Sequence, residues 1–245
     1  MFVKQYIYGE MRDTVSISTL IGSSIHKGLE QFVDGNVIDS PQDLLQKCIQ
    51  PGQTIKELKK TEIEDAYPII QDCIDDVAAS WDLWDIEQIY SNEMTYQNYL
   101  TAHEKETLVP IKGKIDLVAK VHGKPVVWDW KTVTSYTGDM GRISYIIQGH
   151  IYMALARQQY DEPFETAIFA EIKKTKNRDK SPRVRFVKVP YNATYMTAII
   201  EMANRIVRIA QGEPQFNTNG DILVLPNISD MYSAQESWDM FLQTI

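Results

Sequence analysis

Residues 113–132 read GKIDLVAKVHGKPVVWDWKT, and this stretch constrains the fold more than any other. Two runs rich in β-branched and aromatic residues flank His122-Gly123, a dipeptide suited to a two-residue hairpin turn. With that turn Val121 faces Lys124, and counting outward sets Asp116 opposite Asp129. Their Cβ atoms would then lie ~5 Å apart, and directly opposed like charges destabilise a sheet. A cation between them removes that cost. Because strand side chains alternate, Asp129 and Lys131 share one face while Trp128 and Trp130 point the other way into a packed layer. Val126, Val127 and Trp128 make the strand apolar on both faces, which brings Asp129 near the interior, where an unpaired carboxylate is costly. The competing reading is a surface ladder in which Lys131 merely neutralises a carboxylate.

Around this hairpin the pattern alternates between helix and strand. Leu20, Ile21, Ile25, Leu29 and Phe32 recur at helical spacing from Ser18 to Phe32, and Asp34-Gly35-Asn36 stops the helix. Residues 40–85 are charged and interrupted by Pro41, Pro51-Gly52 and Pro68, so they read as two or three short inserted helices. A strand is expected over 86–99, leading into a polar loop at 102–107, then the hairpin strands 111–121 and 125–132, and a helix over 142–159. Runs 165–174 and 183–189 form a second hairpin, and a helix carrying Met196, Ile199, Ile200, Ala203 and Ile206 on one stripe follows. The order gives an α/β fold with a mixed central sheet flanked by helices, in one domain over 1–245. Residues 215–245 read as an extension in which 235–245 forms a short docking helix.

Composition narrows the function. No apolar run reaches the ~18 residues of a membrane span, and the start of the chain lacks a secretory pattern, so the expected compartment is the cytoplasm of a bacterium or a phage host, without membrane partners. Cys48 and Cys73 are too few for a four-thiolate zinc or iron–sulfur site. The net charge of −8 excludes a protein that coats nucleic acid with a broadly basic surface. Yet residues 173–188, KKTKNRDKSPRVRFVK, hold eight lysines and arginines against one aspartate. Taken alone this is a solvated hairpin tip; beside a carboxylate pair it is a candidate grip on phosphates.

A strand aspartate followed on the adjoining strand by Asp-x-Lys resembles the PD-(D/E)XK nuclease superfamily, and GKID with DWKT resembles its RecB-like exonuclease branch. Two further segments are similar to that branch in the same order: GSSIHKGLE, carrying His26, and Gln148-x-x-x-Tyr152 in YIIQGHIYMALA. Ile115 stands where the superfamily motif has proline, and the second acid is aspartate rather than glutamate. The cysteine tetrad of the iron–sulfur members is absent. The resemblance implies a restriction-endonuclease-like core of order αβββαβ with the 40–85 insertion, and one or two Mg²⁺ or Mn²⁺ ions held by His26, Asp116, Asp129 and the Trp130 carbonyl. Catalysis would fall to Asp116, Asp129 and Lys131, with Lys131 positioning the attacking water.

A lone helical histidine is more often a satisfied core residue, and a Gln-Tyr pair at i, i+4 is more often a half-buried polar contact. Under the resemblance His26 becomes a ligand, and Gln148, Tyr152 and the adjoining Tyr145 contact DNA. Lys173, Lys174, Lys176, Arg178, Lys180 and Arg183 then grip the strand. The expected activity is that of a metal-dependent deoxyribonuclease, an exonuclease on DNA ends or single strands in replication, recombination or repair. A flap-type endonuclease and a catalytically silent nucleic-acid-binding subunit are the alternatives; a silent subunit would be expected to have lost one of His26, Asp116, Asp129 or Lys131.

Overall fold

The computed structural model describes residues 14–49, 54–55, 60–138, 142–179, 181 and 183–211. The elements run β1 (Thr14–Val15), α1 (Ile17–Val33), α2 (Pro41–Lys47), β2 (Thr54–Ile55), α3 (Lys60–Ser80), β3 (Ile86–Asn98), β4 (Thr101–Ala102), β5 (Lys105–Glu106), β6 (Ile111–Val121), β7 (Lys124–Val133), α4 (Arg142–Tyr160), β8 (Thr166–Lys173), β9 (Val184–Pro190) and α5 (Ala193–Ala210). Five strands form one mixed sheet in the order β3-β6-β7-β8-β9, with β7 and β8 parallel and the other neighbours antiparallel. This is the expected αβββαβ core. The chain divides into two compact units, 1–200 and 201–245, and in the second the described residues are the end of α5 and Gln211. The reading of 215–245 as a docking extension falls outside the described residues. No described helix is long and apolar enough to cross a membrane.

The turn at His122-Gly123 has both residues at positive φ, as a two-residue hairpin turn of type I′ requires, and it fixes the register from Val121–Lys124 to Leu117–Trp128. One face of the sheet is closed by α1 and α3. Leu20, Ile25 and Leu29 of α1 and Ile70, Ile74 and Val77 of α3 bury with Leu117, Trp128 and Trp130 in a single apolar core. Trp128 and Trp130 stand 5.4 Å apart, and Trp84 stacks on Trp128 at 5.4 Å. Fully burying such side chains contributes about 1.5–3 kcal/mol each, so the strand that carries the Asp-x-Lys motif is anchored by its indoles.

The 40–85 insertion differs from the expected series of short helices. Among its described residues, beyond α2 and β2, it holds a 21-residue helix that runs through Pro68, followed by a 3₁₀ turn over Trp81–Trp84. Pro68 is exposed, so water can serve the carbonyl that loses its N–H partner, while the buried stripe Ala66, Ile70, Cys73, Ile74 and Val77 holds the helix together on the other side. Packing overrides the local penalty of ~3 kcal/mol. The polar loop expected at 102–107 is a tight β4–β5 hairpin, with His103 and Glu104 at positive φ.

On the opposite face, α4 lies close to the sheet because its contact positions are small. A Cβ on Gly149 would meet the Cβ of Ala167 at 2.9 Å, and one on Gly113 would meet Tyr152 at 3.2 Å. The glycine of GKID is therefore the seat of the tyrosine in the Gln-x-x-x-Tyr segment. Gly149→Ala is expected to cost about 1–3 kcal/mol by overpacking, since its neighbour is a short side chain on a buried strand. A urea midpoint equal to that of the wild type would contradict this close approach.

Candidate metal centre

The β6–β7 ladder stops at Leu117–Trp128, one step short of Asp116 and Asp129. The reason is local. The Trp130 backbone N–H donates to Asp116 Oδ2 at 2.7 Å, so a side-chain carboxylate replaces a ladder carbonyl and the strands fork there. Asp116 and Asp129 are both buried at that fork, at 7% and 4% exposure.

α1 delivers His26 into the fork, with Nδ1 3.4 Å from Asp116 Oδ2. The helix comes this close because Gly22, one turn earlier, leaves room for Thr132, whose Oγ1 would lie 2.7 Å from a Cβ there. Burial lowers the imidazole pKa, which keeps the ring neutral with a nitrogen lone pair available to a metal.

The structure adds Glu93, a residue the motifs do not contain. On β3 it falls between the pairs Asn92–Leu117 and Met94–Ile115, across from Asp116, and its φ of 52° is left-handed in the middle of a strand. That conformation is costly for a non-glycine residue and re-aims the side chain. His26, Glu93 and Asp116 each bring a ligand atom within 4.8 Å of the others. Glu93 Oε2 pairs with Lys114, whereas Glu93 Oε1 is buried without a hydrogen-bond partner among the described residues. A buried carboxylate oxygen with no partner, beside a neutral imidazole and a second carboxylate, is a donor set that fits a hard divalent cation.

Asp129 and Lys131 adjoin this cluster. Lys131 Nζ is 2.5 Å from Asp129 Oδ2, and Asp129 Oδ1 accepts from Gln148 Nε2 at 2.9 Å. Gln148 also donates to the Tyr152 hydroxyl at 2.7 Å, so the Gln-x-x-x-Tyr pair orients the second aspartate from α4. Tyr145 is buried instead of lining an open surface. Its ring stacks on Phe169 at 4.4 Å, and its hydroxyl donates to Glu171, a fully buried acid that pairs with Lys131 in the β7–β8 register. Arg185 and the Thr137 N–H complete the coordination of Glu171 and tie down the segment after β7.

Much of the basic stretch is engaged in contacts within the protein, though among its described cations only Arg183 is buried. Arg183 is 2% exposed and pairs with Asp72 and Asp76 of α3; Lys176 pairs with Asp72, Lys174 reaches Ser18, and Lys173 reaches Asn177. Arg178 is exposed, and Lys180 lies outside the described residues. Two of these cations, Lys176 and Arg183, thus balance acids of the inserted helix, a pairing that only tertiary contact creates.

The profile of the PD-(D/E)XK nuclease superfamily matches residues 2–221 of the chain. The protein belongs to that superfamily, whose nucleases act on nucleic acid with divalent metal ions. Among solved structures, a protein of Eubacterium rectale given the provisional name of exonuclease shares 17% identity and a TM-score of 0.56, over 93% of this chain and 83% of that one. At that identity the likeness concerns the fold. A second structure, of SSO0001, has 15% identity and a TM-score of 0.35 over 80% of this chain and 78% of that one. No curated protein matches the chain.

Without metal the carboxylates are strained electrostatically. Burial, then the charge of Glu93, pushes Asp116 up to about 7; burial, then the charge of Asp116, pushes Asp129 up to about 6. A folded pKa above the unfolded value contributes stability that is complete below about pH 4 and lost as pH rises through about 6 to 7. The metal-free melting temperature is therefore expected to fall between about pH 5 and about pH 8, and Mn²⁺ should raise it more at the higher pH. Asp116→Asn, which keeps an acceptor for the Trp130 N–H, should flatten the pH dependence and abolish most of the metal effect. Melting curves of wild type and variant that respond identically to pH and to metal would refute the assignment.

Proposed function

We propose that the protein is a metal-dependent deoxyribonuclease, an exonuclease acting on DNA ends or single strands. The observation that carries this reading is the convergence of His26, Glu93 and Asp116 within 4.8 Å at the fork that also holds Asp129 and Lys131. Asp116, His26 and Glu93 would hold one ion, and Asp129 with the Trp130 carbonyl would complete a site for one or two. Bound Mg²⁺ or Mn²⁺ would supply an activated hydroxide and neutralise charge on the pentavalent phosphorus. The imidazole among oxygen ligands favours Mn²⁺ over Mg²⁺.

Within this reading the chain's own groups divide the remaining work. Lys131, held in place by Asp129, orients the attacking water and stabilises the charge that develops on the phosphate oxygens. Gln148 fixes Asp129 so that Lys131 keeps its position, and Tyr152 backs Gln148 from the helix. The exposed part of the basic stretch, Arg178 above all, meets the DNA backbone away from the scissile bond. A protein of net charge −8 can thereby bind locally and release its product.

Lys131→Ala is expected to lower turnover by on the order of 10²–10³ while leaving the melting temperature within a few degrees. Asp116→Asn should abolish cleavage. End-labelled linear and circular single-stranded DNA, each incubated with Mg²⁺ or Mn²⁺, separate an end-requiring enzyme from an endonuclease, because a circle resists the first. Near-wild-type turnover in either variant would place the chemistry elsewhere, and a cleaved circle would sink the exonuclease assignment. Reversing Arg178 to Glu should reduce the salt slope of single-strand binding by about 0.7 if it contacts one phosphate, with little change in turnover at saturation.

A further inference from the structure

α4 carries more apolar surface than the core uses. Tyr145, Ile146, Gly149, Met153 and Ala156 bury toward the sheet, yet Ile147 and Ile151, spaced i, i+4, stay only half-buried on another side. With Ile111 of β6 and Tyr152 they line a cleft of about 470 Å³ between β6 and α4. That volume lies within the ~300–1,000 Å³ of small-ligand sites. Lys112 and Lys114, both exposed, stand on its strand side.

The cleft reaches the metal centre at two of its lining residues. Gln148 donates to Asp129, and Lys114 pairs with Glu93. A ligand seated here therefore abuts the groups that hold the ion, and it meets apolar walls with two ammonium groups at the rim. Flat apolar chemistry flanked by anions is the chemistry of a nucleobase between backbone phosphates. The polar uncharged side chains of the lining are Ser144, Gln148 and Tyr152, and the last two bond each other while Gln148 also serves Asp129. The cleft consequently offers little hydrogen-bond readout, and any base presents a face to it.

Resting on the nuclease reading above, we propose that this cleft is a slot for one unpaired nucleobase of the strand being cut, with Lys112 and Lys114 on the flanking phosphates. A base inside a duplex is stacked and paired and cannot enter without being extruded, so the slot selects single strands or frayed ends. Lys114 has a second role. Its ammonium pairs with Glu93 in this structure, and an ion held by that carboxylate would leave Lys114 available to the phosphate.

The test is binding of a mixed-sequence single-stranded oligonucleotide in Ca²⁺, measured by fluorescence anisotropy, against a set in which one abasic site is walked along the strand. One position should lose about 5- to 150-fold in affinity, the value of one base–aromatic or apolar stack. In Ile147→Ala/Ile151→Ala that penalty should shrink while the other positions behave as in the wild type. Lys112→Gln, at an exposed position that does not endanger folding, should lower the salt slope by about 0.7. A flat abasic profile in the wild type, an undiminished penalty in the double variant, or an unchanged salt slope would each overturn the slot. Cleavage of the same oligonucleotide by wild type in Mn²⁺ reports separately on the nuclease reading. Cleavage without a sensitive position rejects the slot alone, and a sensitive position without cleavage rejects the nuclease assignment while the slot stands.

Discussion

The hydrogen bond from the Trp130 N–H to the Asp116 carboxylate decides where the central hairpin opens, and the rest of the site follows from that opening. A ladder continued by one more pair would set Asp116 against Asp129 with nothing between them, at the like-charge cost that opposed strand residues carry. Diverting one N–H to a side chain ends the ladder there, and the strands part. The gap then admits His26 from α1 on one side and Glu93 from β3 on the other. Burial raises the pKa of both aspartates, an electrostatic cost that a divalent cation bound here would relieve.

Such a centre survives only on a stiff support. The indoles of Trp128 and Trp130 pack against α1 and α3 while the carboxylate and ammonium of Asp129 and Lys131 alternate with them in sequence. Alternation along one strand thus combines an apolar anchor and an ion pair. The helices are brought near by missing side chains: Gly22 lets α1 approach Thr132, Gly113 seats Tyr152, and Gly149 lets α4 rest on Ala167. Each contact lies within a few residues of a group at the site, so the glycines convert close packing into positional accuracy.

Charge is organised by the same economy. Asp72 and Asp76 of the inserted helix α3 take up Arg183, and Asp72 also takes Lys176. Buried Glu171 takes Arg185 and holds Tyr145 and Thr137. Lys112 and Lys114 at the cleft and Lys176, Arg178 and Lys188 of the basic stretch are exposed.

Much was legible in the sequence because the information was local. The turn at His122-Gly123 and period-two alternation determined the hairpin register, which the structure keeps up to Leu117–Trp128. Spacing along single elements likewise gave α1 and the shared face of Gln148 and Tyr152 on α4, while the family resemblance singled out His26 and that pair. Tertiary structure alone decided the rest. Glu93 lies in a polar strand with no motif around it, and its place depends on the β3–β6 register and a left-handed backbone that no residue type announces. The continuity of α3 through Pro68 depends on what its other face buries, and the fate of the basic stretch depends on acids about a hundred residues away in the chain. Local pattern fixes which groups an element can present; only the packing of elements against one another fixes which groups meet.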